Sequence, residues 1–116
     1  MIPGLPARLA ELAAENQTTT YGQLARDLDL TGPATIARLT DALELLMEQD
    51  AAQNLPLRAA LLSARGSPLP APGFFAKAAA LGFPIPDPAT FVADQRQSLH
   101  AFTLAQILHG GSDIAP

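Results

Sequence analysis

Two histidines, His100 and His109, and the carboxylates Asp41, Glu44 and Glu48 are the residues whose types and spacing could do chemistry. Paired imidazoles suggest a metal site or acid–base work. At about 100° per residue, however, a nine-residue separation on one helix turns the two rings to roughly opposite faces. They are therefore expected at the surface or at a helix end, where a histidine favours the C-terminal dipole. The three carboxylates lie on one side of a helix, as an acid pair or hard-metal site requires. No histidine accompanies them, so a solvated helix face is expected.

The remaining chemistries lack their parts. Ser63 stands in SAR, without the glycines of a nucleophile elbow. Gly66-Ser67 matches neither G-x-G-x-x-G nor a P-loop. The chain has no cysteine, which excludes thiolate nucleophiles, disulfides and thiolate metal sites. A non-catalytic protein with no cofactor and no metal is expected.

Binding chemistry rests on the arginines. Seven Lys and Arg stand against eleven Asp and Glu, for a net charge of -4 and a pI near 4.8. That counts against nonspecific nucleic-acid binding, where cations neutralise phosphates. It leaves room for a local basic stripe drawn from Arg26, Arg38, Arg58 and Arg65.

These residues must be positioned by short elements, since eleven prolines and eight glycines interrupt the 116-residue chain. Its length suits one domain, 1–116. A first helix is expected over Pro6 to Asn16, with Leu5, Leu9, Leu12 and Ala13 on one face. Thr20 is placed to cap a second helix, Tyr21 to Leu28, with Gln23 completing a capping box. Asp29 to Gly32 reads as a turn. A third helix follows from about Pro33 to Asp50, with Ile36, Leu39, Leu43, Leu46 and Met47 as its apolar stripe.

LRAALLSA, Leu57 to Ala64, reads as a short strand between Pro56 and Gly66. SPLPAPGFF is expected to be extended, with its Pro-rich part at 67–73. A fourth helix spans Phe74 to Leu81 and FPIPDP is a rigid linker. The last helix covers about Ala89 to His109, with Phe91, Leu99, Phe102 and Ile107 buried. Gly110-Gly111 stops it, and Ser112 to Pro116 is frayed. No apolar run reaches the roughly 20 residues that span a bilayer, and MIPGLPARLAELAAE lacks the layout of a signal peptide. A cytoplasmic protein with no membrane partner is expected.

Residues from about 18 to 50 thus form a helix-turn-helix layout. In such a motif the second helix presents its first residues to base edges. Thr31, Thr35 and Arg38 would lead, with Arg38 able to pair with guanine. Thr18, Thr19 and Tyr21 would lie near a phosphate, Arg26 and Arg58 would add backbone contacts, and Arg65 would sit in a wing.

TTYGQLA, the Ala37-Arg38 pair, the proline-led apolar segment and RGS together resemble the winged helix-turn-helix DNA-binding domain of alkylguanine-DNA alkyltransferases and alkyltransferase-like proteins. The similarity covers Thr19 to Gly66, about half the chain. It implies that Tyr21 acts at the DNA backbone and that Arg38 helps extrude a base. The family's Pro-Cys-His-Arg centre is absent; LPLRAALLSARG stands in its place, so alkyl transfer to a thiolate is impossible. The acidic end of the third helix would repel phosphate if it faced DNA.

The expected architecture is mainly α: a winged-helix-like domain with one short strand or wing and a C-terminal helix. The expected function is binding of duplex DNA, as a regulator or damage-recognition relative. The alternative is a protein-interaction or homodimerisation module on the same fold. There Phe74 and Phe75 offer a docking surface beside the prolines, unless both rings are tucked into the core.

Overall fold

The computed structural model describes residues 2–114, with side chains as far as residue 108. The described part is mainly helical: α1 (Leu5–Ala14), β1 (Thr19–Thr20), α2 (Tyr21–Asp27), α3 (Thr35–Ala52), a 3-10 turn (Arg58–Leu61), β2 (Leu62–Ser63), α4 (Pro72–Ala80) and α5 (Pro88–Ile114). The strands pair in parallel, Thr19 with Leu62 and Thr20 with Ser63. No helix among the described residues is long and apolar enough to cross a membrane.

Capping sets most boundaries. The Thr20 hydroxyl accepts the Gln23 N–H at 3.1 Å, as expected. The reciprocal half of the capping box is missing, because Gln23 Oε1 accepts instead from Arg26 Nη2 at 3.0 Å, while the Gln23 Nε2–H donates to Asp27 Oδ1 at 2.8 Å. Four helices end on one device. Asn16, Asp29, Asn54 and Gly82 take left-handed φ values of 55°, 56°, 56° and 100°. The next N–H then reaches back five residues: Gln17 to Leu12, Leu30 to Ala25, Leu55 to Asp50 and Phe83 to Ala78, at 2.8–3.1 Å. At the start of α5, Asp87 accepts the Ala89 N–H and the Thr90 hydroxyl.

The core follows the helical stripes. Leu5, Leu9, Leu12 and Ala13 of α1 pack with Leu39, Leu43, Leu46 and Met47 of α3 and with Val92 and Leu99 of α5. Ile36 departs from its expected stripe: it is 47% exposed, one turn before the first buried residue of α3. Phe102 and Ile107 are exposed rather than buried. Helix α5 continues past α1, and Phe102 faces an open cleft of about 420 Å³ that it lines with Pro6, Leu9, Ala10 and Ala13, so its ring stays partly in solvent. The α5 backbone also continues through Gly110 and Gly111, which weaken a helix by about 1 kcal/mol each relative to alanine but do not end it here. The expected fraying thus fails for 112–114; its last two residues lie outside the described part.

LRAALLSA is not one strand. Arg58–Leu61 is the 3-10 turn, and only Leu62–Ser63 pairs as a strand. Leu57, Ala59, Ala60, Leu61 and Leu62 are all buried, so their peptide groups need partners inside the protein. Side chains supply them. Asp50 Oδ2 accepts the Arg58 N–H at 3.0 Å, and Gln95 Oε1 accepts the Leu57 N–H at 2.8 Å. The Arg96 guanidinium donates to the Ala60 carbonyl at 2.7 Å and the Leu62 carbonyl at 3.2 Å.

Asp50 is 2% exposed and is neutralised by Arg58, Nη2 to Oδ1 at 2.8 Å. The acidic end of α3 is therefore partly structural. Breaking a buried pair leaves an uncompensated charge, at a cost of about 3–5 kcal/mol. Arg58→Ala is expected to lose stability in that range in urea unfolding, and the Asp50→Ala/Arg58→Ala double variant less than the sum of the two singles.

Candidate nucleic-acid interface

The parallel pairing of β1 with β2 sets the start of α2 beside the chain that leaves Ser63. That chain turns at once. The Ser67 N–H bonds to the Ala64 carbonyl at 3.0 Å and the Ala64 N–H to the Leu69 carbonyl at 2.7 Å. Gly66 supplies the φ of 74° that closes the turn. Arg65 stands at its tip, exposed.

A cleft of about 730 Å³ opens between these elements. Tyr21 and Arg26 of α2, Ile36 and Thr40 of α3, and Arg65 of the turn line it, with Thr20, Gly22, Ala64 and Ala71. Its wall carries two cations and no carboxylate. The Tyr21 hydroxyl accepts the Ala71 N–H at 3.1 Å and keeps its own proton to donate. Burial raises the Tyr21 pKa above its ordinary 10.0, and the bond from Ala71 opposes the shift. Arg26 Nη2 donates to Gln23 Oε1 at 3.0 Å.

The cleft's charge follows from how the other cations are used. Arg8 pairs with Glu11 and Asp27, Arg58 with Asp50, and Lys77 with Glu48. Arg96 is held by backbone carbonyls. Arg38 donates to the Thr31 carbonyl, so among the described residues the arginines left without a carboxylate or a backbone carbonyl are Arg26 and Arg65.

The expected contact residues are thus only partly brought together. Tyr21, Arg26 and Arg65 share the cleft. Arg38 does not: it lies about 200° around α3 from Ile36, in a separate hollow with Asp41, and donates to the Thr31 carbonyl. Thr35 Oγ1 donates to the Gly32 carbonyl at 2.8 Å, which ties it to the turn before α3. Arg58 is taken by Asp50. Phe74 is 5% exposed, in edge contact with the half-buried Phe75, so its ring is not presented to a partner.

One other expectation changes. His100 is neither exposed nor at a helix end: Nδ1–H donates to the Ala13 carbonyl at 2.8 Å. His109 lies outside the described side chains. Glu48 of the acidic face holds Lys77 at 2.6 Å. Sequence reasoning missed Ile36 and Thr40 as cleft residues; their spacing of four on α3 is the signal that could have paired them.

No known protein family, curated protein or solved structure matches this chain.

Tyr21 is the chain's one tyrosine, and there is no tryptophan, so its ionisation can be followed alone by ultraviolet absorbance. The phenolate is expected to form above pH 10.0 in the folded protein and to return towards that value in urea. With the folded pKa raised, the folded state holds the proton longer than the unfolded one. The stability from this group is therefore present below pH 10.0 and lost as pH rises through the folded value.

Proposed function

We propose that this protein is a non-catalytic, winged-helix-like cytoplasmic domain that binds duplex DNA through the cleft between α2, α3 and the Arg65 turn. The short Ala64–Leu69 loop takes the place of a wing. One observation carries the reading: in a chain of net charge -4, two arginines without carboxylate partners line one cleft whose wall has no acid. Guanidinium groups suit phosphate, which they bind through paired N–H donors. The Tyr21 proton, with the Thr20 and Thr40 hydroxyls, adds neutral donors for backbone oxygens. The resemblance of TTYGQLA to the alkyltransferase DNA-binding segment supports the same face through Tyr21. Arg38 has no place in this cleft, so base extrusion is not part of the proposal.

Two neutralised phosphates give a salt slope near -1.8, from about -0.9 per phosphate on duplex DNA. Fluorescence anisotropy against salt is expected to show a slope of about that size. Arg26→Ala and Arg65→Ala should each reduce it by about one. Binding that ignores salt, or both variants, would remove the DNA reading.

A second reading, a self-associating or protein-interaction module, rests on α5. Leu104 and Ile107 are exposed there, in a stretch from Gln97 to Ser112 that carries no Asp, Glu, Lys or Arg. Exposed apolar surface of this kind marks interaction sites. In this reading the protein sediments as a dimer at high concentration, and Ile107→Asp returns it to a monomer with unchanged helicity.

A further inference from the structure

Ile36 is the one aliphatic side chain larger than alanine on the wall of the cationic cleft. It is 47% exposed, although its spacing from Leu39 and Leu43 would place it with the core stripe. It lies in the first turn of α3, and Thr40, one turn on, lines the same cleft. An exposed branched aliphatic that shares a cleft with two arginines sets a requirement on what covers it. A purely apolar protein patch would desolvate Arg26 and Arg65 without compensation. The occupant must present anions together with a small apolar group.

Duplex DNA offers that combination at thymine. Phosphates flank the groove, and the C5-methyl is the apolar mark on the major-groove edge of an A·T pair. A helix entering that groove does so with its first residues, and Ile36 is the second residue of α3. We infer that Ile36 is the residue that reads sequence in this cleft, by seating against a thymine methyl while Arg26 and Arg65 hold flanking phosphates. Thr40 lies beside it as a hydroxyl partner for the adjoining base edge. This inference rests on the DNA reading above and adds the base it prefers.

Thymine and uracil differ by that methyl alone. The test compares an A·T-rich duplex with its twin in which deoxyuridine replaces every thymidine, by anisotropy at matched low salt. The wild-type protein is expected to bind the thymine duplex about fourfold more tightly, the effect of burying one methyl. Ile36→Ala binds both duplexes alike, near the wild-type affinity for the uracil duplex and with an unchanged salt slope. Ile36→Val keeps part of the preference. Equal wild-type binding to both duplexes, or a preference that survives in Ile36→Ala, overturns the inference and leaves the phosphate cleft standing. Absence of salt-sensitive binding to either duplex overturns both.

Discussion

A stretch of irregular chain, residues 57–63, runs through the middle of this protein, and the rest is arranged to make that tolerable. Five of its apolar residues are buried, yet only Leu62 and Ser63 join a sheet. A buried peptide group without a partner costs roughly 1–3 kcal/mol. The stretch is therefore clamped from both sides, by Asp50 at the end of α3 and by Gln95 and Arg96 on α5. Because the clamp comes from two helices, it also fixes them relative to each other. Partial burial lowers the Arg96 pKa from its usual range. The clamp gives β2 a fixed place to meet β1, and that junction shapes the cleft.

The same clamp sorts the charges. Arg58 and Arg96 serve the buried segment, while Arg8 and Lys77 hold surface carboxylates. An acidic protein can keep a local cationic cleft only if its positive charges are not cancelled there. In this structure cancellation happens elsewhere. Asp27, the carboxylate one residue beyond Arg26, is bonded to Arg8 and Gln23 instead. Surface pairs of this kind add little stability. Their effect is on where uncompensated charge remains, which is a functional matter.

The sequence carried local structure better than tertiary structure. The Thr20 cap and the leucine stripes of α1 and α3 could be read because they depend on neighbours a turn away. The stops at Asn16, Asp29 and Asn54 were harder, since non-glycine residues adopt left-handed φ less readily and give a weaker mark. LRAALLSA misled because a short apolar run has the same composition in a strand and in a buried turn. The turn is held by Asp50, eight residues before Arg58, whose burial no charge pattern announces. Ile36, Phe102 and Ile107 failed for another reason. A periodic stripe says which face a residue shares, not whether another element closes over it. Of the cleft, Tyr21, Arg26 and Arg65 were legible as types; that they converge while Arg38 and Thr35 turn away depended on the β1–β2 pairing.

The two readings occupy different elements, and each supplies what the other lacks. Two phosphate contacts make a weak and strongly salt-sensitive complex. A single cleft of this kind would therefore hold duplex DNA poorly at physiological salt. Association of two copies through α5 would present two clefts at once, and the second would bind at the effective concentration set by the rigid body that joins them. Four phosphate contacts would then act together without any further cation in the sequence. The uncharged stretch of α5 suits that role: apolar contact there brings none of the chain's carboxylates face to face. For a chain with seven basic residues, five of them engaged within the protein, pairing would be a direct route from a weak phosphate cleft to a useful affinity.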